Sequence, residues 1–95
     1  MRLFFRLTTE VNDRLRTMMR YHGELSRYID EALTAADLEA VELLSGSFGR
    51  RRGITTVISH SANDRLRYAA KHRGCTVTTL ANSAIKEWLG GKHAA

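Results

Sequence analysis

An internal repeat constrains the fold of this chain more than any other feature of its sequence. The pentapeptide from Asn12 to Arg16 recurs, 51 positions later, from Asn63 to Arg67. A glycine follows each copy, also at an offset of 51, and the apolar positions before it return at the same offset. After the glycine the apolar positions return at an offset of 52, because the second unit has one inserted residue in the turn. The first unit is assigned to 2–44, the basic linker to 45–52 and the second unit to 53–89.

The residue pattern of each unit predicts a short strand followed by two helices. The strands are predicted at 2–7 and 53–58, where aromatic and β-branched residues, which favour a pleated surface, are frequent. Apolar residues after each strand recur at spacings of three and four, which is typical of one buried helix face. Hydroxyl residues precede the first helix of each unit, at Thr8 and Thr9 and from Ser59 to Ser61, and suit the N-cap position.

The glycines and the later hydroxyl residues predict where helices end and begin. Because the residue after a helix often adopts the left-handed conformation that suits glycine, we expect Gly23 and Gly74 to end the first helices. Ser26 and Thr78 are expected to cap the second helices, since a hydroxyl oxygen accepts from a free amide of the first turn. The first helices are predicted to reach about His22 and Arg73, and the second helices about Leu44 and Leu89.

The two repeat units are expected to need each other. One unit alone leaves the edges of its strand unpaired and an apolar helix face uncovered. Together their strands can pair and their helices can cover one core. We therefore predict a mostly α fold with a short two-stranded antiparallel β-ribbon, in which the tandem units form an intrachain pseudo-dimer within a single domain, 1–95. A bundle of helices alone and a ribbon exchanged between two chains are the alternatives.

Charge is distributed unevenly along the chain, which has a formal net charge of +5 and a pI of about 10.0. The acidic stretch, from Glu24 to Glu42, holds six acidic residues and one basic residue, whereas the rest of the chain holds fourteen basic and four acidic residues. A strongly basic surface favours an anionic partner, most often nucleic acid. The acidic second helix of the first unit indicates a second hypothesis, a protein-interaction module that binds a basic partner.

Other functional classes are disfavoured by the composition. A chain of 95 residues has the size of one small domain, which leaves little room for a deep catalytic cavity. The sequence contains no nucleophile motif or glycine-rich phosphate loop, so we expect neither an enzyme nor a bound cofactor. His72 and Cys75 lie on opposite sides of a predicted turn, so no metal site is expected. A single cysteine is typical of a reducing cytosol, and the apolar run at 3–5 is too short for a signal peptide or membrane span, so we expect no membrane partner.

A set of motifs recurs in the same order in both units: 5–8, 12–15, Gly23, Ser26 and 32–33 in the first unit, and 58–59, 63–66, Gly74, Thr78 and 84–85 in the second. This ordered set resembles the ribbon-helix-helix family of DNA-binding proteins, which includes the Arc and MetJ repressors. Two motifs in one chain are similar to the TraY-like accessory proteins of plasmid transfer. The departures are a missing proline at the start of the first helix, a long acidic second helix in the first unit and a poorly basic second strand.

The resemblance implies a sequence-specific protein for double-stranded DNA, acting as a transcriptional repressor or as a plasmid-transfer accessory factor. A nicking enzyme or another protein of the transfer complex would then be a further partner, and self-association on DNA is a further option. The protein would lie in the bacterial cytoplasm, on the nucleoid or on a plasmid.

The ribbon is expected to enter the major groove of DNA, which accepts two paired strands. Because side chains alternate between the faces of a strand, Leu3, Phe5 and Leu7 should face the core and their neighbours the DNA. If the strand slips by one residue, Phe4 packs against the helices instead, and the arginines can also contact phosphate alone. The predicted base contacts are Arg2, Phe4, Arg6, Gly53, Thr55 and Val57.

Phosphate contacts are expected at the starts of the second helices and in the linker. In the resembled family these helix starts bind the DNA backbone on either side of the ribbon, where free amides and the helix dipole favour an anion. Ordinary helix capping and a solvated arginine-rich loop explain the same residues without DNA. The predicted phosphate contacts are Ser26, Arg27, Thr78, Thr79, Arg50, Arg51 and Arg52.

Overall fold

Within the described residues the chain follows the order strand, helix, helix, and then repeats that order. A computed structural model describes residues 2–20, 23–44 and 51–94, with the backbone alone at 2, 51–54 and 92–94. The mostly helical class with a two-stranded antiparallel sheet is confirmed, and a bundle of helices alone is wrong. The elements are β1 (Arg2–Thr8), α1 (Thr9–Met18), α2 (Glu24–Ala35), β2 (Arg51–Val57), α3 (His60–Arg73) and α4 (Val77–Ala94).

β1 and β2 pair in antiparallel fashion along their whole length. Phe4 lies opposite Thr55 near the middle of the pairing. Side chains alternate between a buried inner face and an exposed outer face, as the predicted strand pattern requires. The inner face therefore forms the floor of the hydrophobic core. Its buried side chains are Leu3, Phe5, Leu7 and Thr56.

Helices from both units cover this inner face. α2 packs against β2, α4 packs against β1, and α2 and α4 contact each other. Leu15 on α1 and Leu66 on α3, which hold the same place in the repeated pentapeptide, are both fully buried. Removing such a side chain from water stabilises the fold by about 2 kcal/mol. The core needs both units, because each unit lines only part of it.

Hydrogen bonds run crosswise between the two units. Asn82 on α4, which is 1% exposed, accepts from the Thr8 N–H at 2.9 Å and donates to the Arg6 carbonyl at 2.7 Å. In the other direction, Asp30 on α2 accepts from the Ser59 N–H at 2.9 Å. The second helix of each unit thus bonds the backbone of the other unit, at the junction between that unit's strand and first helix.

Several predicted helix ends are confirmed. Thr8 and Ser59 cap α1 and α3, each accepting from the amide three residues later. α3 ends at Arg73, as predicted. Gly74 follows it in the left-handed region, with φ of 68°, where a residue with a side chain would be strained.

The first unit departs from its prediction at the turn between its helices. α1 ends at Met18 rather than near His22, because the chain leaves the helix through an extended residue. Gly23 has right-handed φ and ψ of −65° and −17°, so the predicted left-handed conformation is wrong there. Ser26 does not cap α2, because the helix begins two residues earlier, at Glu24.

The second helix of the first unit is shorter than predicted. α2 ends at Ala35 rather than near Leu44. Asp37 forms a turn after it, since the carboxylate and the carbonyl of this residue both accept from amides that follow. The turn lets Leu38 and Val41 fold back into the core, where both are buried. Burial of these two side chains decides where the helix ends.

The second helix of the second unit is longer than predicted. α4 passes through Gly90 and Gly91 to Ala94, instead of ending near Leu89. Glycine within a helix costs about 1 kcal/mol relative to alanine, which weakens a helix without forbidding it. In the part of the chain that the structure describes, no helix is both long and apolar enough to cross a bilayer.

We expect Asn82 to hold the two units together more strongly than its counterpart Asp30. Asn82→Ala leaves the buried N–H of Thr8 and the carbonyl of Arg6 without their Asn82 partner, at a cost of about 1–3 kcal/mol for each group. Asp30→Ala removes one exposed hydrogen bond, which contributes about 1 kcal/mol or less. Urea unfolding followed by Trp88 fluorescence measures both losses. Equal losses of stability contradict this account of the crosswise bonds.

Candidate nucleic-acid interface

The outer face of the β-ribbon exposes two large apolar side chains. Phe4 is 64% exposed and Val57 is 58% exposed, and Arg6 and Thr55 are exposed beside them. Because Phe4 lies opposite Thr55 in the register, the four side chains share one surface. The alternative in which the strand slips and Phe4 packs against the helices is wrong.

The remaining predicted base contacts belong to the same ribbon. Arg2 lies opposite Val57, and Gly53 lies opposite Arg6. Since opposite residues of an antiparallel pair share a face, the register places both at positions of the outer face. The structure thus brings all six predicted base contacts together.

Two of the three predicted linker arginines belong to the ribbon. Arg51 and Arg52 were predicted in the linker, but β2 begins at Arg51, so both belong to the strand. Their backbones pair with Thr8 and Leu7, because the partner strand β1 extends that far. Arg50 lies outside the described residues.

The start of α2 lies against the end of β2. Ser26, predicted as a cap, instead accepts from the Thr56 hydroxyl at 2.9 Å and from the Val57 N–H at 3.3 Å. Its hydroxyl therefore joins α2 to the ribbon. Arg27, the next residue, is exposed. The first turn of α2 thus adjoins the end of β2 and carries an exposed arginine.

The start of α4 lies against the other strand, where the Asn82 side chain reaches the Arg6 carbonyl. Thr76 accepts from the Thr79 N–H at 3.0 Å and donates to the Thr79 hydroxyl at 3.0 Å. Thr76 is therefore the cap of α4, and the prediction that Thr78 caps this helix is wrong. Thr78 and Thr79 lie in its first turn and are half-buried. One helix start thus flanks each strand of the ribbon.

The repeated pentapeptide contains a contact that the sequence interpretation missed. Asn12 is buried and accepts from the Arg16 Nε at 3.1 Å, and Asn63 is buried and accepts from the Arg67 Nε at 3.1 Å. In each pair the residues are four apart, a spacing at which helix side chains meet. The spacing of four residues between asparagine and arginine was the signal in the sequence from which this contact could have been predicted. In both units a buried amide holds an exposed arginine in place.

Glu24 is a second feature that the sequence interpretation missed, because it placed this residue only within the acidic stretch. The Glu24 side chain is 6% exposed at the first position of α2. Its carboxylate accepts from the Arg20 N–H at 3.0 Å and from the Tyr28 hydroxyl at 2.8 Å. The hydrogen bond to Glu24 raises the pKa of Tyr28, and burial and the Glu24 charge act in the same direction. Glu24 therefore places a buried carboxylate in the first turn of the helix at which phosphate contacts were predicted.

The acidic stretch packs against basic side chains of α3. Arg65 donates to two carbonyls at and just after the end of α2, at 3.1 and 3.2 Å. Arg73 donates to the Leu38 carbonyl at 3.1 Å, and the His72 Nδ1 lies 3.1 Å from the Glu39 carboxylate. Cations near a helix C-terminus interact favourably with its dipole. Further exposed carboxylates of the stretch belong to Glu31, Asp37 and Glu42.

Comparisons of this chain with protein-family models, with curated proteins and with solved structures find no match. The function is therefore inferred from the outer face of the ribbon, from the helix starts beside it and from the sequence resemblance.

We expect Phe4 to contribute little to stability although Phe5 contributes much. Phe4→Thr keeps a residue that suits a strand and changes only an exposed position, so the free energy of unfolding should change by less than about 0.5 kcal/mol. Phe5→Ala opens a cavity in the core and should cost about 3–5 kcal/mol. Urea unfolding measures both. A loss for Phe4→Thr close to that of Phe5→Ala contradicts the assignment of Phe4 to an outer face.

Proposed function

We propose that the protein is a sequence-specific double-stranded DNA-binding protein of the ribbon-helix-helix type, which inserts its β-ribbon in the major groove. The observation that carries the proposal is the outer face, where Phe4, Val57 and Arg6 are exposed on a ribbon whose inner face is buried. Exposed apolar side chains that adjoin one another are typical of a binding surface. A two-stranded ribbon has dimensions that the major groove accepts.

The chemistry of the outer face suits the edges of base pairs. Arg6 can donate two hydrogen bonds to O6 and N7 of guanine, the commonest specific contact to that base. Phe4 and Val57 suit the thymine methyl group, and the Thr55 hydroxyl can donate or accept. In this proposal Arg2 and Gly53 complete the set of six base-contacting positions.

The same proposal treats the two units as an intrachain pseudo-dimer. Phe4 and Thr55 face each other in the ribbon and are also 51 positions apart, which is the offset of the repeat. If a two-fold axis relates the two units, it must pass through the ribbon between two paired residues that correspond by the repeat. Phe4 and Thr55 are such a pair. The crosswise bonds of Asn82 and Asp30 further support it, because they join corresponding points of the two units.

Phosphate contacts in the proposal lie on both sides of the ribbon. Arg27 is an exposed cation in the first turn of α2, whereas Ser26 offers only its amide, because its hydroxyl is bonded to the ribbon. Thr78 and Thr79 lie in the first turn of α4, where free amides and the dipole favour an anion. The linker and strand arginines complete the proposed set: Arg50, Arg51 and Arg52.

Two biological roles follow from the proposal. One is local transcriptional repression, and the other is an accessory role at a plasmid-transfer origin, with a nicking enzyme as protein partner. Both place the protein in the bacterial cytoplasm, on the nucleoid or on a plasmid. The fusion of two motifs in one chain favours the transfer role, because an unsymmetrical protein suits an unsymmetrical DNA site.

A protein-interaction module remains the competing proposal, in which the acidic stretch binds a basic partner. Basic side chains of the same chain already contact this stretch, through Arg65, Arg73 and His72. The DNA proposal is therefore favoured. Retention on random DNA that falls steeply with salt supports DNA binding, and no binding at low salt contradicts it.

The two strands should contribute unequally to the reading of bases, since Arg6 and Val57 are equivalent by the repeat but chemically unlike. On a site located by footprinting, Arg6→Ala should lower the affinity by about 5- to 150-fold, because a bidentate contact to guanine is worth about 1–3 kcal/mol. Val57→Ala should lower it less. Fluorescence anisotropy with labelled duplex measures both. Equal losses contradict unequal reading by the two strands.

Arg27 should act on phosphate and carry no base preference. Arg27→Ala is expected to weaken binding to all duplexes alike and to reduce the slope of log K against log salt by about 0.9, as for one lost phosphate contact. Lys71→Ala, which removes an exposed cation near the C-terminal end of α3, is the matched control and should leave the slope nearly unchanged. A change in base preference in Arg27→Ala contradicts the phosphate role.

A further inference from the structure

We infer that the exposed Tyr68 of one copy of this chain binds in a surface groove of a second copy. The groove lies between the segment 41–44, at the end of the acidic stretch, and the segment 83–87 of α4. This inference goes beyond the DNA-binding proposal, because neither the groove nor Tyr68 belongs to the ribbon or to the helix starts beside it.

The groove has an apolar floor and an acidic rim. Its volume is about 570 Å³, which is within the range of pockets that hold organic ligands. Val41 is buried, Leu43 and Leu44 are half-buried, and the carboxylates of Glu42 and Glu87 are exposed. The groove therefore suits an occupant that has a large apolar body.

The charge that the groove offers to an occupant is negative. Its one cation, Lys86, already lies 3.8 Å from the Glu10 carboxylate. Within the described part of the chain, no basic side chain forms an ion pair with Glu42 or Glu87. An occupant should therefore carry a cation beside its apolar group.

Tyr68 on α3 is the apolar group that matches this groove. Its side chain is 68% exposed, although its ring centroid lies 5.8 Å from that of His72. The other large apolar side chains exposed in the described part of the chain, Phe4 and Val57, lie on the ribbon. Tyrosine is among the residues most enriched at the centres of protein interfaces. The DNA-binding proposal gives this ring no role.

Arg67 supplies the cation beside the ring. It is exposed, and its Nε donates to the buried Asn63 at 3.1 Å. Because that bond already orients the side chain, little conformational freedom is lost when the guanidinium meets a carboxylate. Lys71 and Asp64 are exposed one turn after and one turn before Tyr68, and their opposite charges offset each other.

A second copy of the chain therefore provides the occupant that the groove requires. Tyr68 does not line the groove of its own chain, so its ring fills a groove only on another copy. The ring meets the apolar floor and Arg67 meets the acidic rim, so the two surfaces are complementary in charge. The contact joins unlike surfaces, which makes it heterologous.

The first experiment is sedimentation of the full chain without DNA over a series of concentrations. We expect the average mass to rise with concentration and Tyr68→Thr to weaken the association about tenfold or more. Thr17 holds the corresponding place in the first unit, so threonine suits the helix there. Phe4→Thr is the matched control, because it removes a similarly exposed ring from another surface, and should leave the association unchanged. A chain that stays monomeric up to about 1 mM, or equal effects of the two variants, overturns the inference.

The second experiment mixes variants, so that the contact itself is tested. Tyr68→Thr keeps the groove, whereas Glu87→Lys keeps the ring but places a cation where Arg67 should bind. Each should associate weakly alone, and an equimolar mixture should associate more strongly than either. Glu31→Lys, the same charge change at an exposed position outside the groove, is the control.

Absence of recovery in the mixture, or a loss in Glu31→Lys as large as in Glu87→Lys, overturns the inference. A groove that another protein or another part of the chain fills gives this result, because Tyr68 then makes no contribution. Neither result affects the DNA-binding proposal, which is tested by duplex binding at concentrations where the chain is monomeric.

Discussion

The antiparallel pairing of β1 with β2 is the interaction on which the rest of the structure depends. It joins the two repeat units, buries Leu3, Phe5 and Leu7 on one face and leaves Phe4 exposed on the other. Because side chains alternate along a strand, a slip by one residue would exchange the two faces and empty the core. The hydrogen bonds from Asn82 to both sides of the β1 end hold the strand against such a slip.

Similar backbones in the two units carry unlike side chains, and this difference shapes the proposed function. Caps, buried leucines and asparagine–arginine pairs recur at the repeat offset and maintain a common framework. On the outer face, however, Arg6 corresponds to Val57, and at the helix starts Glu24 corresponds to Thr76. A framework of this kind can keep its stability while each half meets a different piece of DNA.

Features that depend on local chemistry were predictable from the sequence. A hydroxyl residue before each first helix predicts its cap, as found at Thr8 and Ser59. The missing Cβ of Gly74 predicts its left-handed conformation. The two-residue period of side chains along a strand predicts which ones are exposed on the outer face. Features that depend on distant contacts were not. α2 stops early because later apolar residues return to the core, Ser26 bonds the ribbon instead of its own helix, and the burial of Glu24 requires donors brought in by the turn.

The central claim is that the outer face of the β-ribbon is the DNA-binding surface. Its most direct test is an NMR titration of the ¹⁵N-labelled protein with a short mixed-sequence duplex at low salt. We expect the largest amide shift changes in β1 and β2, around Phe4, Arg6 and Thr55. Changes confined to the acidic stretch and to α3, or no changes at any duplex concentration, would contradict the claim.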